Sequence, residues 1–251
     1  MSAIVYADFS RPDCYLSSRR VDALRAAGVD VDWRAVEHQP QPQLPVTGRR
    51  LTPADQDALV ERFATLDRLL LPGEQLPWTA PGHAPKTEAA ISAYAAVYGT
   101  AAGDDVRRLL FELYWQRGAD IGSPTVLRTP LAGPAMRSGV DAEPLRQCGF
   151  AVSVDRGPIT TDAHRRIRTW RDEWREMGSP MLPVLLVDGA TLSGVDALRR
   201  LDKEITYADA DANPKLADPR RYPPVQGRPS PAWVSQVGGR WRNIYRLTPT
   251  H

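Results

Sequence analysis

The chain is poor in the residues that most often carry chemistry. Its 251 residues include two cysteines, Cys14 and Cys148, and four histidines, His38, His83, His164 and His251. Two cysteines are too few for a disulfide framework, and whether they pair is not legible in the sequence. The histidines share no spacing with Cys or Asp of the kind a metal site needs, so no metal is expected. There is no glycine-rich phosphate loop and no Ser-His-Asp order. An excess of one charge is also missing. Thirty-two basic residues face thirty acidic ones, for a formal charge of +2, and they are scattered, so composition argues against nucleic acid as a partner. Lysine is nearly absent, with Lys86, Lys203 and Lys215 set against 29 arginines, a skew that fits coding bias better than a binding face. No apolar run approaches the roughly 18 residues of a membrane span. The chain passes from Met1 into a strand-like run within a few residues, without room for a secretory signal, and a cytoplasmic location is expected.

What is present is an α/β pattern at both ends with helices between. Residues 4–9 hold β-formers, Pro12 suits the first turn of a helix running to about Ala27, and Gly28 stops it. Val29, Val31, Trp33 and Ala35 alternate with Asp30, Asp32 and Arg34, the mark of a strand with one buried face. A right-handed crossover would make this βαβ unit parallel. After a Pro- and Gln-rich loop, Thr52 can cap and Pro53 can open a helix to about Leu71. Further helices are expected over 87–98 and 104–117, with short pieces at 125–131 and 141–148. A long one runs from Thr161 to Met177, closed by Gly178, and helices alone are expected from 52 to 177. On that long helix His164, Arg165, Arg166, Arg168, Arg171 and Arg175 form either an anion-facing stripe or a solvated face paired with Asp172, Glu173 and Glu176. Sheet character returns at Val184–Val187. Asp188-Gly189 is a hairpin turn into Thr191-Leu192, and a last helix covers Val195 to Leu201. The expected organisation is an N-terminal half over 1–51, a helical insertion over 52–177, a C-terminal half over 178–202 and an irregular extension over 203–251. Trp233, Trp241 and Tyr245 argue that the extension wraps over the body.

Several separated pieces carry a family resemblance. Asp8-Phe9-Ser10-Arg11-Pro12-Asp13-Cys14-Tyr15-Leu16 resembles the Asp-Phe-x-Cys-Pro-x-Cys-Tyr-Leu entry of the DsbA family of thioredoxin-like proteins, whose relatives include kappa-class glutathione transferases and 2-hydroxychromene-2-carboxylate isomerases. Phe111 to Leu127 resembles that family's helical insertion, Leu182-Pro183-Val184 its cis-proline step, and Asp188-Gly189 to Leu201 its last hairpin and helix. The resemblance implies a thioredoxin-like βαβ…ββα sheet core with an inserted helical subdomain. It also implies a cis Pro183 facing residues 11–14, and a ligand cleft formed by Pro12, Leu182 and Pro183.

The chain departs from the family where the chemistry sits. Arg11 occupies the place of the attacking cysteine in the oxidoreductases and of a serine in the transferases and isomerases. An arginine can neither form a mixed disulfide nor leave as a thiolate, so two-cysteine exchange within this motif is closed. Arg11 is either an electrostatic donor for a thiolate, carboxylate or enolate at the helix N-terminus, or a solvent-facing charge at an abandoned site. Cys14 is either a small buried apolar residue or a thiolate favoured by the helix dipole and Arg11. Asp196 lies where glutathione-using relatives place an acid for the substrate's amino group, although a carboxylate at a helix start needs no ligand.

The leading expectation is a DsbA-like oxidoreductase homologue with a degenerate Arg-Pro-Asp-Cys site, limited to one-thiol chemistry at Cys14 and needing no cofactor beyond a low-molecular-weight thiol. The alternatives are a small-molecule isomerase or glutathione-transferase-like enzyme, and a non-catalytic protein holding a small-molecule, thiol or peptide ligand in the same cleft. No membrane partner is expected.

Overall fold

The computed structural model describes residues 2–38, 48–77, 81–138 and 152–212. The expected helix over 141–148, Trp78, Cys148, Trp233, Trp241 and Tyr245 lie outside them. Strands β1 (Ser2–Ala7) and β2 (Asp30–Ala35) pair in parallel from Ser2↔Asp30 to Ala7↔Ala35, joined by helix α1 (Pro12–Ala26). Strand β1 also pairs antiparallel with β5 (Val184–Val187), which turns into β6 (Ala190–Ser193), giving the order β2-β1-β5-β6. This is the thioredoxin-like core that the family resemblance implied. Gly28, with φ of 82°, lets the chain leave α1 in the left-handed region that β-carbon-bearing residues avoid.

Alternation along β2 sorts two layers. Val31, Trp33 and Ala35 are buried, and Trp33 faces helix α4 (Gly103–Trp115), its ring 5.9 Å from Phe111 and beneath the Arg107 guanidinium at 5.2 Å. Asp32 and Arg34 point the other way, toward α6 (Thr161–Glu176). There Glu173 accepts from the Tyr6 hydroxyl at 2.9 Å and from Arg34 at 2.5 Å, while Tyr98 donates to Asp32 at 2.5 Å. Glu173 therefore serves the sheet, not the solvated face of its own helix. Arg166 also turns inward, donating to the Ala95 carbonyl at 3.0 Å.

Helix α2 (Pro53–Asp67) begins as the sequence implied. The Thr52 hydroxyl accepts from the Asp55 N–H at 3.2 Å, and the Asp55 carboxylate accepts from the Thr52 N–H at 2.7 Å, a reciprocal cap. Helix α3 (Glu88–Val97) is buried along Ala89 to Val97 and packs on α4 and α6, so sheet and helices share one apolar cluster. No helix among the described residues is long and apolar enough to cross a membrane.

Three expectations are corrected. Residues 52–177 are not helical throughout: His83–Ala84 (β4) pair antiparallel with Arg49–Arg50 (β3), a ladder too short to leave a period in the sequence. The piece expected at 125–131 extends as α5 over Pro124–Arg137, through Pro130 and Pro134. Those prolines fall on one stripe with the exposed Val126, beside the buried Leu127, Leu131 and Ala135, so the carbonyls they leave unbonded lie on the partly exposed side. The last helix, α7, runs over Gly194–Ala212, well past Leu201. Leu198, Leu201 and Ile205 continue one buried stripe, which the polar composition after Leu201 concealed.

Candidate functional site

The site is built where β1 ends and α1 begins. Asp8, only 2% exposed, fixes that connection. Its Oδ1 accepts from the N–H and hydroxyl of Ser10, both at 2.8 Å, and its Oδ2 accepts from the His38 N–H at 2.8 Å, tying the β1 exit to the β2 exit. Sequence reasoning missed Asp8 as a positioning residue; the Asp-x-Ser spacing of a side-chain turn was its only signal. Beneath the loop the Phe9 carbonyl accepts from Trp115 Nε1–H at 3.0 Å, which anchors the entry to α4.

Arg11 is the N-cap residue of α1 in extended geometry, with Pro12 in the first turn as expected. An arginine side chain cannot accept from the free N–H groups of the first turn, and Arg11 makes no cap hydrogen bond. Its nearest acid is Asp13, whose Oδ2 lies 3.8 Å from Arg11 Nη2, an ion pair too long for a hydrogen bond. Asp13 is fully buried and is held by Arg62 from α2. No sequence signal pointed to Arg62, because only the packing of α2 brings it here. Arg11 Nε, Arg62 Nε, Asp13 Oδ2 and His38 Nδ1 are all buried without a hydrogen-bond partner among the described residues. Burial first, and then the Arg11 charge, lower the His38 pKa below its ordinary 6.5, so this imidazole is neutral at pH 7. Its ring lies 6.2 Å from that of Trp174 on α6.

Cys14 lies one turn deeper and is 0% exposed, within the apolar core cluster. Burial pushes its thiol up to about 12, against the smaller lowering effects of Arg11 and the Asp8 backbone. Among the described residues it is a free cysteine. At pH 7 this is a protonated thiol without a solvent-facing surface, which favours the small-apolar reading over the thiolate.

The register Tyr6↔Val184 carries the start of β5 to the sheet edge from which α1 departs, so Leu182 and Pro183 share that edge with Arg11 to Cys14. The Leu182–Pro183 bond is cis, and the Pro183 carbonyl accepts from the Gly194 N–H at 2.8 Å. Asp196 lies two residues beyond Gly194, in the first turn of α7. Its side chain is 70% exposed and pairs with Arg199 at 3.4 Å on the surface of α7. The cluster can thus offer a cation and a helix N-terminus to an anion, but not a nucleophilic sulfur.

The model of the DSBA-like thioredoxin domain matches residues 3–206, and no curated protein matches the chain. Among solved structures, 2-hydroxychromene-2-carboxylate isomerase is similar at 17% identity and a TM-score of 0.54, covering 85% of this chain and 100% of its own. The cytosolic disulfide reductase DsbM of Pseudomonas aeruginosa is 18% identical with a TM-score of 0.54, covering 84% and 98%. A probable DsbA oxidoreductase from Streptomyces coelicolor is 19% identical with a TM-score of 0.54, covering 85% and 92%. These likenesses concern the fold. Together with the βαβ…ββα sheet and the family match over most of its length, they lead to one statement of kinship: the chain belongs to the DSBA-like thioredoxin domain family.

Proposed function

We propose that this family member has exchanged thiol chemistry for recognition of a small organic anion, a carboxylate, enolate or thiolate, at the N-terminus of α1. Arg11 is the charged donor, and Pro12, Leu182 and Pro183 form the adjoining walls. The observation that carries the reading is that Arg11 Nε is buried beside a helix N-terminus with no hydrogen-bond partner among the described residues. A desolvated guanidinium N–H left unpaired is costly, and an anion seated on the helix dipole removes that cost. The buried Cys14 thiol weighs against one-thiol exchange as the activity. The isomerase among the structural neighbours and the DsbM structure solved with GSH make a small organic acid and a low-molecular-weight thiol the two ligand classes to try first. A cytoplasmic location, like that of the cytosolic DsbM, is part of the proposal.

Native mass spectrometry of freshly purified protein, followed by titration of the recovered ligand or of GSH into wild type and Arg11→Ser, tests it. Loss of anion affinity in Arg11→Ser supports the reading. Equal affinity of the two proteins, or catalysed insulin reduction that disappears in Cys14→Ser, overturns it.

A further inference from the structure

A separate cavity of about 250 Å³ lies between the end of β2, helix α3 and helix α6. Its walls differ in chemistry. Val36, Ile91, Ile167 and Trp174 supply apolar surface. Glu37 and Glu88 stand on the side of β2 and α3, and Arg168, Arg171 and Arg175 on the side of α6. The spacing 168, 171 and 175 places the three guanidiniums on one helix face together with Ile167 and Trp174.

These opposite charges do not satisfy each other. No ion pair crosses the cavity: Arg168 and Arg171 reach only Asp172 of their own helix, at 3.7 and 3.4 Å, and Arg175, Glu37 and Glu88 have no ion-pair partner among the described residues. Glu37 instead accepts from the Thr87 N–H at the start of α3. Ser92 is also part of the wall. It is 0% exposed, and its Oγ has no hydrogen-bond partner, which leaves an unspent donor for a bound polar group. Acids and bases on facing walls that do not pair with each other, with apolar surface between them, suit a molecule that carries both charges itself.

We propose that this cavity binds a small zwitterion with an apolar body, of the α-amino acid class. Its ammonium sits on Glu37 and Glu88, its carboxylate on Arg168, Arg171 and Arg175, and its side chain against Ile91, Ile167 and Trp174. The site is distinct from the α1 N-terminus: none of Arg11, Pro12, Leu182 and Pro183 lines it. The ring contact of His38 with Trp174 makes the two neighbours.

Titration calorimetry on the full chain with L-phenylalanine and L-leucine tests the proposal. Phenylalanine methyl ester, which lacks the carboxylate, and N-acetylphenylalanine, which lacks the ammonium, serve as blocked probes. Each blocked form is expected to bind at least about tenfold more weakly than the free amino acid, the size of one lost charged contact. Arg175→Gln and Glu88→Gln should each weaken the free amino acid similarly. Arg165→Gln, on the same helix but outside the cavity lining and paired with Asp162, should leave it unchanged. Absence of binding by both amino acids overturns the proposal, and so does a blocked form or the Arg175→Gln protein binding as tightly as the reference.

Discussion

Two pairs of arginines on or against the same helix face opposite situations. Arg20 and Arg107 are buried to 1% and 0%, and nearly every N–H they own is used. Arg20 donates to Glu74 at 2.9 and 2.8 Å and to the Leu198 carbonyl at 2.6 Å, joining α1 to α7 and to the segment after α2. Arg107 donates to the Ser18 carbonyl at 2.9 Å and to Asp22 at 2.5 Å, joining α4 to α1. Arg11 and Arg62, by contrast, keep a buried Nε without a partner at the N-terminus of α1. The second pair is also less buried, its side chains 24% and 23% exposed. The saturated pair holds layers together, whereas the unsaturated pair retains hydrogen-bonding capacity that a ligand can use.

The largest expected effect falls on the saturated side. Arg20→Ala leaves Glu74 buried without its counter-ion and should destabilise the fold by about 3–5 kcal/mol, read from urea unfolding. A loss below about 1 kcal/mol, the level of a surface pair, would break the comparison. On the other side, Arg11→Ser should weaken an anionic ligand by about 1.5–3 kcal/mol, as for a charged hydrogen bond. The same change should raise stability by about 0.3–1 kcal/mol, because it removes a cation from the positive end of the helix dipole. A stability loss in Arg11→Ser would place Arg11 with the structural arginines.

A smaller effect concerns Glu37, which links the two sites. Burial, then the charges of Asp8 and Glu88, push its carboxyl up to about 7, against the Thr87 N–H and Lys86; His164, Arg168, Arg171 and Arg175 face it across the cavity. A carboxyl whose folded pKa lies above its unfolded value of 4.5 contributes its full stability below 4.5 and loses it as pH rises to about 7. Wild type measured against Glu37→Gln should therefore lose on the order of 1 kcal/mol between those limits, after allowance for partial exposure. A flat difference would show that Glu37 is already ionised in the fold. The smallest effect is on Cys14: iodoacetamide with peptide mapping should leave it unmodified in the native protein and label it after unfolding. Native labelling would restore one-thiol chemistry.

Much of the frame was legible in the sequence. Strand alternation in residues 29–35, the Thr52-Pro53 cap and the Asp188-Gly189 turn are local patterns, and local patterns are what a linear reading detects. Arg11, Cys14 and Pro183 could be placed near one another only through the family resemblance. The bounds that failed did so because another interaction outweighed local preference: Pro130 and Pro134 sit within α5, and Ile205 draws α7 past a polar stretch.

By itself, then, the sequence determined that two-cysteine exchange within the Arg11-to-Cys14 motif is closed, because the chemistry of Arg11 does not depend on where it lies. Only the tertiary structure decided that Cys14 is a core thiol, that Asp196 faces solvent, and that Arg62 and His38 join Arg11. It also decided that Glu37 and Glu88 face the arginines of α6. Desolvation and long-range pairing are properties of the surroundings, and residues far apart in the chain acquire them only when the layers close.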